Sequence, residues 1–154
     1  GEYIVAGSDD NKVYFFDKDS STPVWTYSSD GDIGYLDISA DGEYIVAGEK
    51  QDDMYLFDKD SSTPLWTFDF GTEGHPVSIS ADGEYILSLG KESSDYKLYL
   101  HKYGSSEPVW NYTTNSSSYS ISISEDGEYF VANVGDYLHL FDNYLGHLHH
   151  QMLL

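Results

Sequence analysis

Short runs of alternating hydrophobic and polar residues, separated by polar turns, recur along the chain. In residues 35–39 apolar and polar side chains alternate, as in a strand with one buried face. Residues 40–43 carry an Asp-Gly turn signal, and residues 44–48 are uniformly apolar, which is typical of a strand covered on both faces. Two further strands are predicted at 54–57 and 65–68. No window shows sustained helical periodicity, so the pattern predicts an all-β protein.

The fourth strand of this group is predicted at a sheet edge, because Pro64 cannot donate a hydrogen bond to a central ladder. Four short antiparallel strands in about 40 residues are the content of one blade of a β-propeller.

The four-strand group repeats along the sequence. Residues 1–7, Gly-Glu-Tyr-Ile-Val-Ala-Gly, recur unchanged at 42–48 and in altered form from Gly83 and Gly127, at spacings of 41, 41 and 44 residues. Residues 16–25 also return at 57–66 with one substitution, Leu for Val. The 154 residues therefore contain about 3.75 units.

The repeat sets the predicted boundaries. We expect a partial first unit without its first strand, two full units, a partial fourth unit without a recognisable last strand, and a divergent His-rich tail: residues 1–28, 29–70, 71–114, 115–142 and 143–154. We therefore expect residues 1–142 to form a partial propeller, half of a ring or a fragment of a longer chain; a start inside an Asp-Gly-Glu motif without Met favours the fragment. A four-bladed ring is an alternative that would need residues 144–154 to supply the missing strand.

Two motifs carry a resemblance to known propeller families. Residues 39–48 resemble the inner-strand hairpin of WD-repeat and related prokaryotic, archaeal in particular, surface-layer propellers, whose pattern is Ser-Pro-Asp-Gly, a strand and Gly-Ser. Asp17 and Trp25, like Asp58 and Trp66, are eight residues apart. That spacing is similar to the tryptophan-docking motif of quinoprotein (PQQ-like) repeats.

The match to the docking motif is incomplete, and its implication is structural. Pro23 and Pro64 replace the turn glycine, and the third unit has Lys102 and Glu107 at the Asp and Thr positions. The resemblance implies that one tryptophan in each unit packs between adjacent blades, with an aspartate fixing the turn before it. The residues concerned are Trp25, Trp66, Trp110, Asp17 and Asp58.

Charge excludes several partners. The chain has 27 acidic residues against seven lysines and no arginine, for a net charge of −20. It cannot build the cationic face that nucleic acids or anionic membranes require, and no apolar run is long enough to insert into a membrane. Its 40% hydrophobic and 16% aromatic content nevertheless predicts a folded chain. There is no cysteine.

Three groups of residues are candidates for binding or modification. Alternate carboxylates at Asp17 and Asp19, and at Asp58 and Asp60, suit calcium, although we favour turn-fixing hydrogen bonds. The cluster of His147, His149 and His150 suits a transition metal, although a degenerate or mobile terminal strand is the favoured interpretation.

The third group comprises two N-glycosylation sequons, at Asn111 and Asn115, in the predicted outer strand and following loop of the third unit. If these sequons are used, the protein is exported. The sequence is compatible with an extracellular or cell-surface protein.

No catalytic motif is present: the sequence contains no Gly-x-Ser-x-Gly elbow, phosphate-binding loop or His-Glu-x-x-His. We therefore expect a non-enzymatic propeller module without a resident cofactor, serving as a cell-surface interaction or structural scaffold. Its expected partner is a protein or a glycan, or a second copy that completes the ring. A metal-binding or quinoprotein-like enzyme, and a structural subunit of a surface filament or sheath, remain alternatives.

Overall fold

The computed structural model describes residues 1–114, 116–143 and 147–153, and it shows an all-β protein. These ranges contain fifteen strands, and they include no helix long and apolar enough to cross a membrane. The strands are β1 (Tyr3–Ser8), β2 (Lys12–Asp17), β3 (Trp25–Ser28), β4 (Ile33–Ile38), β5 (Tyr44–Glu49), β6 (Asp53–Asp58), β7 (Trp66–Asp69), β8 (Glu73–Ile79), β9 (Tyr85–Glu92), β10 (Asp95–Lys102), β11 (Ser105–Thr114), β12 (Ser118–Ile123), β13 (Tyr129–Val134), β14 (Tyr137–Asp142) and β15 (His147–Leu153).

The strands form four antiparallel sheets in chain order. Sheet 1 is β1-β2-β3, sheet 2 is β4-β5-β6-β7, sheet 3 is β8-β9-β10-β11, and sheet 4 is β12-β13-β14-β15. Within each sheet, every strand pairs with the next strand in sequence, so every sheet is an up-and-down meander. The predicted all-β fold is confirmed, and the strand that follows Pro64 lies at the edge of its sheet as predicted.

Hydrophobic clusters join successive sheets, and we call them junctions 1, 2 and 3. In junction 1, Val13 and Phe15 of sheet 1 cover Ile45 and Phe57 of sheet 2. Junction 2 lies between sheets 2 and 3, and junction 3 between sheets 3 and 4. Because inner sheets have a neighbour on each side, β5 is almost wholly buried although it carries the same apolar sequence as the more open β1.

The loops fall at two ends of the stacked sheets. The repeat end holds the Ser-x-Asp-Gly-Glu turns 39–43, 80–84 and 124–128, which bond to one another: Ala40 N donates to Ala81 O at 2.9 Å, and Ala81 N donates to Glu125 O at 3.1 Å. The variable end holds turns of unrelated sequence at the opposite ends of the same strands. These turns are residues 9–11, 50–52, 93–94 and 135–136.

The glycine of each repeat-end turn has two structural roles. Its φ lies in the left-handed region, where glycine is favoured, and its missing side chain makes room for a tyrosine ring of the preceding sheet. An added Cβ would lie 2.4–2.7 Å from that ring. The pairs are Gly42 (φ 78°) with Tyr3, Gly83 (φ 73°) with Tyr44, and Gly127 (φ 68°) with Tyr85.

The fourth sheet is completed by residues of the His-rich tail. The broken repeat left no recognisable last strand there, yet β15 pairs with β14, in agreement with the degenerate terminal strand favoured for the His cluster. His150 lies opposite Leu140, as Trp110 lies opposite Leu100 in sheet 3. Strand pairing uses backbone groups, and a register shift between Leu140 and Phe141 accommodates the altered sequence. The Pro-x-Trp motif is therefore dispensable for forming this strand.

Candidate functional site

Trp25 joins sheets 1 and 2. Its indole N–H donates a hydrogen bond of 2.7 Å to the carbonyl of Lys59, in the turn that follows β6 of sheet 2. Its ring stacks on Phe15 at 5.0 Å in its own sheet and lies 5.3 Å from Phe57 in the next. One side chain thus contributes both apolar contact and a directional bond across the junction.

Trp66 and Trp110 lie at the equivalent places in the next two junctions. The indole N–H of Trp66 donates to the carbonyl of Tyr103 at 2.7 Å, and its ring stacks with His101 at 5.6 Å. Trp110 has ring contacts of 5.2 and 5.1 Å with Phe130 and Phe141. Each of the three tryptophans named from the sequence therefore lies between its own sheet and the next.

The candidate calcium aspartates fix turns at the repeat end. Asp17 Oδ1 accepts the backbone N–H of Asp19 at 2.8 Å, and Asp58 Oδ1 accepts that of Asp60 at 2.9 Å. Asp19 and Asp60 are also ion-paired, with Lys18 and with Lys59. In the part of the chain that the structure describes, no three His, Asp or Glu side chains are grouped so as to hold a metal ion.

The remaining sequence candidates are placed only in part. Asn111 is an exposed residue of β11, while Asn115 lies outside the described residues. The backbone of His147, His149 and His150 belongs to β15, and their side chains lie outside what the structure describes.

His101, the buried histidine of junction 2, is not among the residues that the sequence singled out. It is fully buried, its Nδ1 donates to the carbonyl of Ser106 at 2.9 Å, and its Nε2 has no partner among the described residues. Burial lowers the pKa of His101 to about 4. Aligning the repeats would have revealed it, since His101 pairs with Ile86 as Phe57 pairs with Ile45.

A second missed feature is a buried carboxylate at the variable end. Glu49 is 2% exposed and accepts a hydrogen bond of 2.6 Å from the hydroxyl of Tyr55. Burial raises the pKa of the nearby Asp53, and the carboxylates of Glu49 and Asp69 raise it further. The variable end therefore concentrates negative charge next to a junction.

The three Ser-x-Asp-Gly-Glu turns of the repeat end have the same hydrogen bonds. The Ser39 hydroxyl donates to Asp41 Oδ1 at 2.6 Å, and the corresponding bonds, Ser80 to Asp82 and Ser124 to Asp126, have the same length. The hydrogen bond from the Ser39 hydroxyl is the largest cause of the lowered pKa of Asp41. The same hydrogen-bonded turn therefore occurs three times at this end.

The variable end has different ion pairs at each position. Lys50 binds Asp9 at 2.6 Å and joins the turns of sheets 1 and 2. Lys91 binds Glu73 at 2.7 Å within sheet 3, where Lys97 also pairs with Glu92. The variable end thus presents a surface whose charges change from sheet to sheet.

The sequence matches no model of a known protein family, and it has no similar sequence among curated proteins.

Proposed function

We propose that this chain is a repeat module of the β-propeller type, in which each four-stranded sheet is one blade, and that it works as a non-enzymatic interaction scaffold at a cell surface. The strand order, the unit length of about 40 residues and the tryptophan bridges between sheets support this proposal. The repeated residues serve to hold the sheets together.

One observation carries the proposal: the turns at one end of the stacked sheets repeat in sequence, whereas the turns at the other end differ from sheet to sheet. Turns 39–43 and 80–84 are identical, and 124–128 differs from them by one residue, whereas turns 50–52 and 93–94 share no sequence. In repeat proteins, differences among repeats collect on the face that binds partners, while shared residues maintain the stack. We assign partner binding to the variable end.

The charges at the variable end restrict the partner. Exposed carboxylates there include those of Asp52 and Asp136, and the chain as a whole has a charge of −20. A basic protein surface or a neutral glycan fits this end, whereas nucleic acids and acidic glycans would be repelled.

Two matched double variants test the assignment. Asp9→Asn with Glu92→Gln breaks two ion pairs at the variable end, those with Lys50 and Lys97. Asp19→Asn with Glu84→Gln breaks two at the repeat end, with Lys18 and Lys102, and changes the net charge equally.

The wild-type chain and both variants would be applied to an array of neutral glycans and basic peptides. We expect an array member bound by the wild type to lose about tenfold in affinity for the variable-end variant only. Equal loss in both variants would contradict the assignment, as would a wild-type chain that binds no array member.

The cell-surface part of the proposal is supported by Asn111, which is exposed in a sequon. Secretion from a host that performs N-glycosylation should give a mass increase that a glycosidase removes and that Asn111→Gln abolishes or reduces. An unmodified secreted chain would contradict use of this site.

A further inference from the structure

Among the described residues, no sheet covers the outer face of sheet 1, which carries a group of apolar side chains. Its apolar residues are Ile4, Ala6, Tyr14 and Phe16, which share one side because Ile4 pairs with Phe16 and Ala6 with Tyr14. Val13 and Phe15 alternate with them and point to the opposite side, into junction 1. The outer face is therefore the side of sheet 1 turned away from sheet 2.

The same four residue types recur 41 positions later on a covered face. Ile45, Ala47, Tyr55 and Phe57 belong to junction 1, where sheet 1 covers them, and none is more than 5% exposed. Ile4, by contrast, is 54% exposed, while the other three members of the outer face are half-buried. The same four residue types in the same register are thus covered by a neighbouring sheet in sheet 2, whereas in sheet 1 they face solvent.

The other end of the stack presents the complementary surface. The outer face of sheet 4 includes Val131, Leu138, Leu140 and Met152, which share one side because Val131 pairs with Leu140 and Leu138 with Met152. Met152 is 50% exposed and the others are half-buried. In register, these four residues correspond to four of the six sheet 1 residues that fill junction 1: Val5, Val13, Phe15 and Tyr27.

We propose that the outer face of sheet 1 binds the outer face of sheet 4 of a second copy of this chain, in the geometry of the internal junctions. Each internal junction joins two different faces, so the contact is head-to-tail and not a symmetric pairing of like faces. A head-to-tail contact closes into a ring or continues as an open series. The proposal does not depend on partner binding at the variable end.

The apolar contact must overcome repulsion between copies that each carry a charge of −20. Salt screens that repulsion, and burial of apolar side chains is little affected by it. Association should therefore strengthen as salt is raised from low to physiological concentration.

Sedimentation equilibrium of the wild-type chain and two lysine variants tests the contact. Ile4→Lys changes the outer face of sheet 1, and Met152→Lys changes that of sheet 4. Both residues are exposed, so folding should persist, and circular dichroism verifies it. Lysine reduces the negative net charge, so a loss of association cannot come from added repulsion. Leu65→Lys, at an exposed position outside both faces, is the matched control.

We expect the wild-type chain and Leu65→Lys to associate, and each face variant alone to be monomeric. An equal mixture of the two face variants should form a one-to-one complex, because one partner keeps an intact sheet 4 and the other an intact sheet 1. If Met152→Lys leaves association unchanged, Leu140→Lys gives a second test of the same face.

A monomeric wild-type chain at all concentrations and salts would overturn the proposal. So would variants of both faces that associate like the wild type. Association lost only in the Ile4→Lys chain, with both sheet 4 variants unaffected, would indicate pairing of like faces and overturn the head-to-tail arrangement.

Discussion

Junctions 1 and 2 are built from closely related sequences but differ in polarity. Junction 1 places Trp25 against Phe57, and junction 2 places Trp66 against His101 at the same register position. In both, the indole N–H bonds to a carbonyl of the next sheet at 2.7 Å. The shared bond fixes the stacking of the sheets, while the residue facing the indole is free to change.

Two further differences follow the same pattern. Tyr55 of junction 1 bonds to the buried Glu49, whereas Tyr99 at the same position of junction 2 has Gly90 where Glu49 would be. The glycine leaves room for Phe70, whose ring lies 2.3 Å from where a Cβ of Gly90 would be. At this position junction 1 contains the hydrogen bond between Tyr55 and Glu49, whereas junction 2 contains the ring of Phe70.

The largest effect should come from removing the feature that the junctions share. Trp25→Ala and Trp66→Ala each remove an indole that contacts two sheets, and each should cost about 3–5 kcal/mol in unfolding free energy. Urea denaturation measures this loss. Thr26→Ala, at an exposed neighbouring position, is the control. A midpoint within error of wild type for either tryptophan variant would contradict its role in the junction.

The next effect distinguishes the two junctions by pH. His101 is neutral in the fold with a pKa of about 4, and in the unfolded chain its pKa returns to the ordinary value of 6.5. Its contribution to stability is therefore complete above pH 6.5 and is lost as pH falls towards 4. The loss is about 3 kcal/mol.

Substitution of His101 by the residue found in junction 1 tests this pH dependence. The free energy of unfolding of His101→Phe, followed against pH, should lack the decline between pH 6.5 and 4 that this histidine adds. The carboxylates titrate in both proteins, so the difference between the two curves is the measured quantity. Parallel curves would show that His101 is not protected from protonation in the fold.

The sequence predicted many of the features that the junctions share, but not the features in which they differ. Tryptophan phase and strand alternation are periodic, so the repeat located Trp25 and Trp66, and the resemblance to the docking motif implied their role and that of the turn aspartates. The environment of His101 depends on Phe68 and Trp66 of another sheet, which approach it only in the folded chain. Likewise β15 forms through backbone pairing with β14, and its residues carry no repeated motif that marks the strand in the sequence.

A smaller effect is expected from the hydroxyl of Tyr55. Tyr55→Phe leaves the carboxylate of Glu49 buried without this donor and should cost about 2 kcal/mol. Tyr99→Phe, the matched change in junction 2, should cost less because no carboxylate stands at the position of Glu49. Equal losses of unfolding free energy in the two variants would show that the bond from Tyr55 to Glu49 adds nothing to junction 1.

The smallest effect concerns how each junction holds the carbonyl that accepts the indole bond. In junction 1 that carbonyl belongs to Lys59, within a turn that Asp58 fixes by accepting the N–H of Asp60. In junction 2 it belongs to Tyr103, and Lys102 stands at the position of Asp58. Asp58→Ala should therefore cost about 1 kcal/mol.

Lys102→Ala is the matched change in junction 2, and it should cost less, since Lys102 makes an exposed ion pair with Glu84. If Asp58→Ala and Lys102→Ala have the same unfolding midpoint as wild type, the turn does not orient the acceptor. The bond from Trp25 would then depend on packing against Phe15 and Phe57 alone, and the two junctions would be equivalent in this respect.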